Sequence, residues 1–569
     1  MNDLLTTPVP ELRAPRAAAL PQAALPQAAS TAAAAPAPSA TPTAAPSAAH
    51  GVERATQAAG APLATGHGRV GAVHWLVPVV VVVIGMFLSV LDSSIIGVAL
   101  PVIGQDLHVG TEYLSWIDTA FRVSEAVVVP ATAWMAARLG LRRMYLISLV
   151  LFAAFSLLCS VAWDLDSLVA FRVLQAIPGS MTPVVCLAII FRMVPKPRLG
   201  LALSLYGLGI VSAPGLAPLI GGVMVEHGAW RTLFYVDAPL ALLGLVAALL
   251  VLPSMPGTPG RRFDALGFVT AGFGLSALVV AFSQASDWGW TSYPVLILGT
   301  AGTLALALFV IIELEVEQPL LQLRMFTVRP YVALLVLIDV MFTGVVVVLS
   351  YLPRFLAQAQ QLSPIDTGLL LLPQALVWML MMPVAGLIYA RFGSRWPAVA
   401  GFALAGVGTL ALATITPATS RTELAAWLVV RAFGLGLIVV PILAGGMSAL
   451  PPALVNDGSA VRTLAQRITV TLGVAALSAM QLHQQAQVFT DHAGLLQVGT
   501  DQLLTHRLGH TALLGLWQHA STLAATETYA NVFLVAGVIT LAGVLPAALL
   551  LPTGAPTAGP AARPSNPDH

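Results

Sequence analysis

The stretch "SVLDSSIIGVALPVI", Ser89 to Ile103, sets one ionisable residue, Asp92, in an apolar run that begins at Trp75. A carboxylate at the centre of a membrane helix costs about 2.5 to 3.5 kcal/mol on insertion scales, so it usually faces a cavity or a partner and often marks an ion path. Two chemistries fit Asp92: a carboxylate bonded to a neighbouring helix or to outer water, or one that loads and releases a proton near neutral pH. At 1.5 Å per residue it lies roughly 25 Å along its helix, which places it in the outer half of a bilayer. Arg172, in "FRVLQAIPG", has no nearby acid on its own helix. It is the natural counter-charge, because an unpaired arginine at membrane depth is costly; a structural hydrogen-bond hub is the other reading. The richest cluster is "WIDTAFRVSEA", where Asp118, Arg122 and Glu125 fall at i, i+4 and i+7 on one helix face. Arg122 can pair with either acid but cannot neutralise both, which leaves one carboxylate to take a proton or attract a cation. Asp118 lies about a turn from the outer surface, and Glu125 is the deeper cavity candidate. Asp339, in "LVLIDVMFTGVV", is a further lone acid suited to a cavity or to structural hydrogen bonding.

The elements that carry these residues must be membrane helices. Of 569 residues 57% are hydrophobic and 9% charged, against roughly 25% charged in a soluble chain. Apolar runs long enough to cross a hydrocarbon core of about 30 Å recur along the chain, and in lipid such runs must satisfy their own backbone as helices. About fourteen spans are expected, near 76–98, 113–136, 144–162, 168–191, 200–223, 232–252, 264–284, 293–313, 331–352, 367–389, 396–416, 423–446, 460–481 and 529–551. Residues 1–73 form an Ala/Pro-rich tract expected to be a disordered cytoplasmic tail, and 554–569 a second cytoplasmic tail. With the N-terminus inside, the inner loops collect Arg138, Arg142, Arg143, Arg192, Lys196, Arg198, Arg261, Arg262, Arg324, Arg329, Arg391 and Arg395. The longest outer loop, 482–528, holds five histidines, His506 and His510 at helical spacing among them. Nearby carboxylates and cysteines in ligand register are lacking, so no metal is expected. The net charge of +1 argues against nucleic acid as a partner. No GxxxxGK[ST] loop is present, so ATP is not the expected energy source and no cofactor is implied.

An internal repeat organises these spans. "AWMAARLGLRR" is echoed by "GLIYARFGSRW", so Arg138, Gly140 and Arg142 match Arg391, Gly393 and Arg395 at an offset of 253. Leu100-Pro101 against Leu352-Pro353, and Arg172 against Arg431, keep nearly the same offset. The expected architecture is all-α and polytopic. A six-helix bundle at 74–253 is repeated at 327–553, with two inserted helices at 254–326. Parallel repeats of this kind are known in secondary transporters, with the substrate site at their interface. At the offset of 252 that relates Leu100-Pro101 to Leu352-Pro353, Asp92 matches Gly344, so the acid belongs to one half only.

With "LDSSIIGVALPVI", "AARLGLRR", "FRVLQAIPG", "APGLAPLIGG" and "WRTLFYVDAPL" in order, the chain resembles the major facilitator superfamily, and within it the fourteen-span drug:proton antiporter branch of the EmrB/QacA type. The resemblance implies proton coupling through Asp92 and Arg172; Glu125, the deeper acid of the Asp118 cluster, is a further proton-coupling candidate on its own residue pattern. It also implies a gating and packing role for Arg138, Gly140, Arg142, Arg143, Arg391, Gly393 and Arg395, and an antiporter segment containing Pro218, Gly221 and Gly222. Gln175 belongs to the Arg-x-x-Gln motif of span four and joins Asp118, Arg122, Asp339 and Asp237 as cavity or substrate candidates. This chain departs from the pattern at Ala133, Ala137, Ala176 and Ala217, and at Asp237, where an asparagine is common. Trp378, Met379, Met381 and Met382 could line a greasy site, although lipid-facing packing is the plainer role for each.

The expected function is a proton-coupled antiporter of the inner membrane, no enzyme, exporting lipophilic or cationic small molecules. Export of one metabolite or siderophore is the alternative within transporters, and a non-transporting membrane sensor the alternative outside them. Its partners would be the lipid bilayer, the small-molecule substrate and protons. The resemblance also allows a periplasmic adaptor and an outer-membrane channel.

Overall fold

Long apolar segments broken by glycine, proline and short basic loops fold as a succession of helices. The computed structural model describes residues 75–227, 230–258, 260, 262–497, 523 and 525–553. The expected tails at 1–73 and 554–569, most of the 482–528 segment with His506 and His510, and also Arg261, lie outside the described residues. The helices are α1 Leu76–Asp106, α2 Thr111–Leu139, α3 Leu141–Ser160, α4 Leu165–Met193, α5 Leu199–His227, α6 Arg231–Val251, α7 Ala265–Trp288 and α8 Tyr293–Glu315. They continue as α9 Arg329–Ala359, α10 Pro364–Phe392, α11 Arg395–Ala411, α12 Arg421–Ser448 and α13 Val455–Gln497, with α14 Ala525–Leu550 as the last long apolar segment. Among the described residues eleven helices are long and apolar enough to cross a membrane. Helices α2, α5 and α13 are not among those eleven, and α2 carries Asp118, Arg122 and Glu125.

Two boundaries differ from expectation and change how the charges are placed. Helix α1 continues through Pro101 to Asp106, so Asp92 stands near the middle of its helix and not toward its end. Helix α13 runs on to Gln497, so the segment expected to be an outer loop from 482 begins as helix.

Sharp turns set the register of the helices. Gly140 (φ +87°) joins α2 to α3, and Gly393 (φ +74°) stands in the same place between α10 and α11. Positive φ is cheap only for glycine. A side chain at Gly140 would also strike the backbone of Met255 and Gly257. Arg142 Nη2 donates to the Leu249 carbonyl at the end of α6 (2.9 Å), and Arg395 Nε donates to Leu551 at the end of α14 (2.8 Å). In each half the arginine two residues past the glycine satisfies a carbonyl that the helix end leaves orphaned.

Within the first half α1 packs on α4, α5 and α6, α4 on α2 and α3, and α3 on α6. In the second, α12 packs on α9, α10 and α11, and α9 on α13. Helices α7 and α8 pack on each other, and α7 also rests on α2 and α13. The halves meet along α2–α13 and α5–α10, with α4–α13 and α5–α12 beside them. At α5–α10 the backbones approach at Gly200 and Gly386, where an added side chain would hit the opposite helix.

Candidate functional site

Asp92 (α1) and Arg172 (α4) form an ion pair with side chains 1% and 0% exposed. Arg172 Nη1 donates to Asp92 Oδ1 (3.0 Å) and Oδ2 (2.9 Å) and to Gln175 Oε1 (2.9 Å). Gln175 Nε2 donates to Asp92 Oδ1 (3.1 Å), which closes a triangle of three residues. Gln175 lies one turn beyond Arg172 on α4, so a single helix face supplies both donors. The other guanidinium nitrogens, Nε and Nη2, have no hydrogen-bond acceptor among the described residues. The group lies instead over the Phe121 ring, 4.0 Å from its centroid, and near Phe234 at 5.8 Å. Such faces stabilise a desolvated cation. Asp237 (α6) borders the same site, buried and within hydrogen-bond reach of Asp92. Its Oδ2 accepts from Ser156 Oγ at 3.3 Å, and Cys159 Sγ reaches Gln175 Oε1 at 3.4 Å.

The second half answers with the same scaffold and no acid. Arg431, buried in α12, donates through Nη2 to the Gly344 carbonyl (2.8 Å), through Nη1 to Gln374 Oε1 (3.1 Å) and through Nε to Thr409 Oγ1 (3.2 Å). Gly344 is the position matching Asp92, and a side chain added there would meet Thr540 of α14. The arginine therefore keeps its place while the carboxylate is replaced by neutral acceptors.

The cluster on α2 divides. Arg122 Nε pairs with Asp118 Oδ2 at 2.6 Å, with side chains 34% and 36% exposed. Glu125, 2% exposed, pairs instead with Arg467 Nη2 of α13 at 2.9 Å. It therefore has a cation of its own from the other half, and Arg172 and Gln175, not Glu125, donate to Asp92. Arg122, Glu125, Ala126, Val279, Arg467, Ile468 and Thr471 enclose a cavity of about 10 Å³, close to the smallest that holds a water. Arg467 escaped the sequence reading although the span at 460–481 contains it. An intramembrane arginine was the available signal.

Asp339 (α9) is apart from both groups and lies against Thr469 of α13. Arg138 stands over the Trp134 ring (5.2 Å), Arg391 over Phe392 (5.4 Å), and Arg143 is exposed. Pro218, Gly221 and Gly222 lie in α5. Gly221 is buried, and the surroundings of the other two are outside the described residues. Met382 is fully buried and packs at Gly207 of α5, while Met381 packs at Gly436 of α12. Both serve helix contact, which corrects the expectation that they face lipid.

A family profile described as Major Facilitator Superfamily matches residues 82–474. Among curated proteins the chain is 28% identical to the tetracenomycin C resistance and export protein of Streptomyces glaucescens, over 74% of this chain and 78% of that protein. It is likewise 28% identical to a multidrug resistance protein B homolog of Mycobacterium tuberculosis, over 83% and 89%. The lincomycin resistance protein LmrB of Listeria monocytogenes is 25% identical over 74% and 88%. Among solved structures, the proton:xylose symporter XylE superposes with a TM-score of 0.54 at 14% identity, covering 82% of this chain and 95% of that one. That likeness concerns the fold alone.

Proposed function

Because the chain belongs to the Major Facilitator Superfamily and is a multi-pass membrane transporter, we propose that it is a proton-coupled antiporter exporting lipophilic or cationic small molecules by alternating access. The observation that carries this reading is the Asp92–Arg172–Gln175 triangle, a charge pair buried at mid-helix in one half and without an acid at the matching position of the other. The names of the resistance and export relatives support a drug-like substrate.

In the proposed cycle Asp92 accepts a proton from outside. Its carboxylate charge is removed and its grip on Arg172 weakens, so α1 and α4 are free to shift against each other. Release of that proton to the cytoplasm restores the pair. Substrate and proton are coupled because each binds the two conformations with different affinity. Asp118 and Arg122, a third exposed, would present charge to a cationic substrate entering beside α2. The division into bundles at 74–253 and 327–553 with an inserted pair at 254–326, the inner-membrane location with both termini cytoplasmic, and any periplasmic adaptor and outer-membrane channel are parts of the same proposal.

Proteoliposomes with an imposed pH gradient test it. Asp92→Asn is expected to abolish gradient-driven efflux while the protein still purifies as a folded monodisperse species. Unchanged transport by the variant would remove Asp92 from the mechanism.

A further inference from the structure

We propose that Asp92 and Asp237 form one proton-binding site, in which a single shared proton bridges the two carboxyl groups beside Arg172. This deepens, and for its role in transport rests on, the reading of the chain as a proton-coupled transporter.

Three observations support the pairing. The carboxyl groups come from different helices, α1 and α6, and lie within hydrogen-bond reach of each other. Ionised carboxylates only accept, so a hydrogen bond between two of them requires that one carries a proton. Next, the charges do not balance without it. Asp92 and Asp237 are 1% and 4% exposed, and the cation in hydrogen-bond contact there, Arg172, offsets one carboxylate. A net charge buried away from water is costly, and one proton brings the site to zero. Finally, the other contacts leave room for that proton. Arg172 Nη1 and Gln175 Nε2 cover Asp92, while Asp237 Oδ2 accepts from the Ser156 hydroxyl, which also donates to the Phe234 carbonyl at 2.9 Å.

Among the described residues, the groups packed around the pair supply no second cation. Helix α4 presents Arg172 and Gln175, α3 presents Ser156 and Cys159, and α2 presents Phe121, with Asp118 and Glu125 acting on Arg172 from farther along that helix. Arg122 and Arg467 are engaged by Asp118 and Glu125. In the second half Gly344 and Thr540 occupy the corresponding contact, so the device is confined to one bundle. A shared proton differs in consequence from a lone protonated acid. The proton can move between α1 and α6 without leaving the site, so its loading is coupled to the contact between those helices.

Infrared spectroscopy of the purified full chain at neutral pH reads this directly through the carbonyl stretch of a protonated carboxyl group. Asp92→Asn and Asp237→Asn are each expected to lose the same single component, and the double variant to lose no more. Asp106→Asn, at the exposed end of α1, is expected to leave the spectrum unchanged. Separate components that add in the double variant, or an unchanged spectrum in Asp237→Asn, would overturn the shared proton. Should the Asp92 or Asp237 variants not fold, ¹³C-carboxyl aspartate labelling in an Asp339→Asn background keeps both groups native. A protonated aspartate band is then expected, and its absence overturns the proposal. Gradient-driven transport by the native chain judges proton coupling separately, since the spectrum does not depend on turnover.

Discussion

Asp92 and Asp118 are both paired with arginine, yet burial gives the two pairs different weight. The Arg172–Asp92 pair is sealed from solvent, whereas Arg122–Asp118 is a third exposed. Removing one partner of a buried pair strands the other and costs about 3–5 kcal/mol; exposed pairs contribute roughly 0–1 kcal/mol. Arg172→Ala is therefore expected to lower thermal stability in detergent far more than Arg122→Ala, and equal losses would contradict the burial argument. A third acid lies outside the apolar segment. Asp106 accepts from Trp230 Nε1 (2.9 Å) and Arg231 Nη1 (2.7 Å), and these bonds hold its carboxyl below the usual carboxylate range. Its folded-state value is depressed, so its contribution is present above the ordinary value of about 3.9 and fades as pH falls through the lower folded one. Asp106→Asn should then cost at most about 1 kcal/mol at neutral pH, because the pair is solvent-screened. The difference from native protein should vanish in acid, which melting curves across pH would check. Asp92, Arg172 and the α2 cluster were legible from the sequence because charge is conspicuous in apolar surroundings. Asp237 was noticed only as a departure from a motif, since nothing local shows that α6 brings it to α1.

Helix contacts divide the work differently on the two seams between halves. Along α5–α10 the approach depends on Gly200 and Gly386, where a Cβ at Gly386 would collide with the Gly200 backbone and Ser204. Small residues give this closeness in membranes, where packing is the main force between helices. The contact lies toward the ends marked by Arg198 and Arg391, so the halves are shut at the basic end. Gly386→Val is expected to part the helices there at a cost of about 1–3 kcal/mol, and to shift the population away from this closed arrangement. Spin-label distances between the basic ends of α5 and α10 would lengthen; unchanged distances would show that the seam tolerates the extra volume. Glycines were visible in "LGLALSLYGLG" and "VAGLIYARFG", but which glycine faces which is a matter of helix rotation. The ends of α1 and α13 were misjudged for a related reason. Apolarity stops where lipid stops, whereas a helix continues as long as its backbone is satisfied.

At the scale of the molecule, the Glu125–Arg467 pair ties the two halves across α2–α13, the seam that the repeat relates to α5–α10. The described contacts join the first seam by an ion pair and the second by close backbone packing, so neutralising Glu125 or Arg467 acts directly on the first. Glu125→Gln and Arg467→Gln should each weaken the tie and shift the balance between conformations. The double variant should lose less than the sum, since both remove one interaction. Additive losses in transport and in α2–α13 distances would show that the residues act separately. The sequence by itself determined that this is an all-helical membrane protein with a duplicated plan and an acid confined to one half. Those properties follow from composition, apolar run length and repeat offset, all of which are read along the chain. Only the tertiary structure decided that Arg172 meets Asp92, that Glu125 belongs to Arg467, and that Asp237 shares the first site. Each of those contacts joins helices distant in sequence, and their rotation and depth are fixed by packing among all of them, which no single segment encodes.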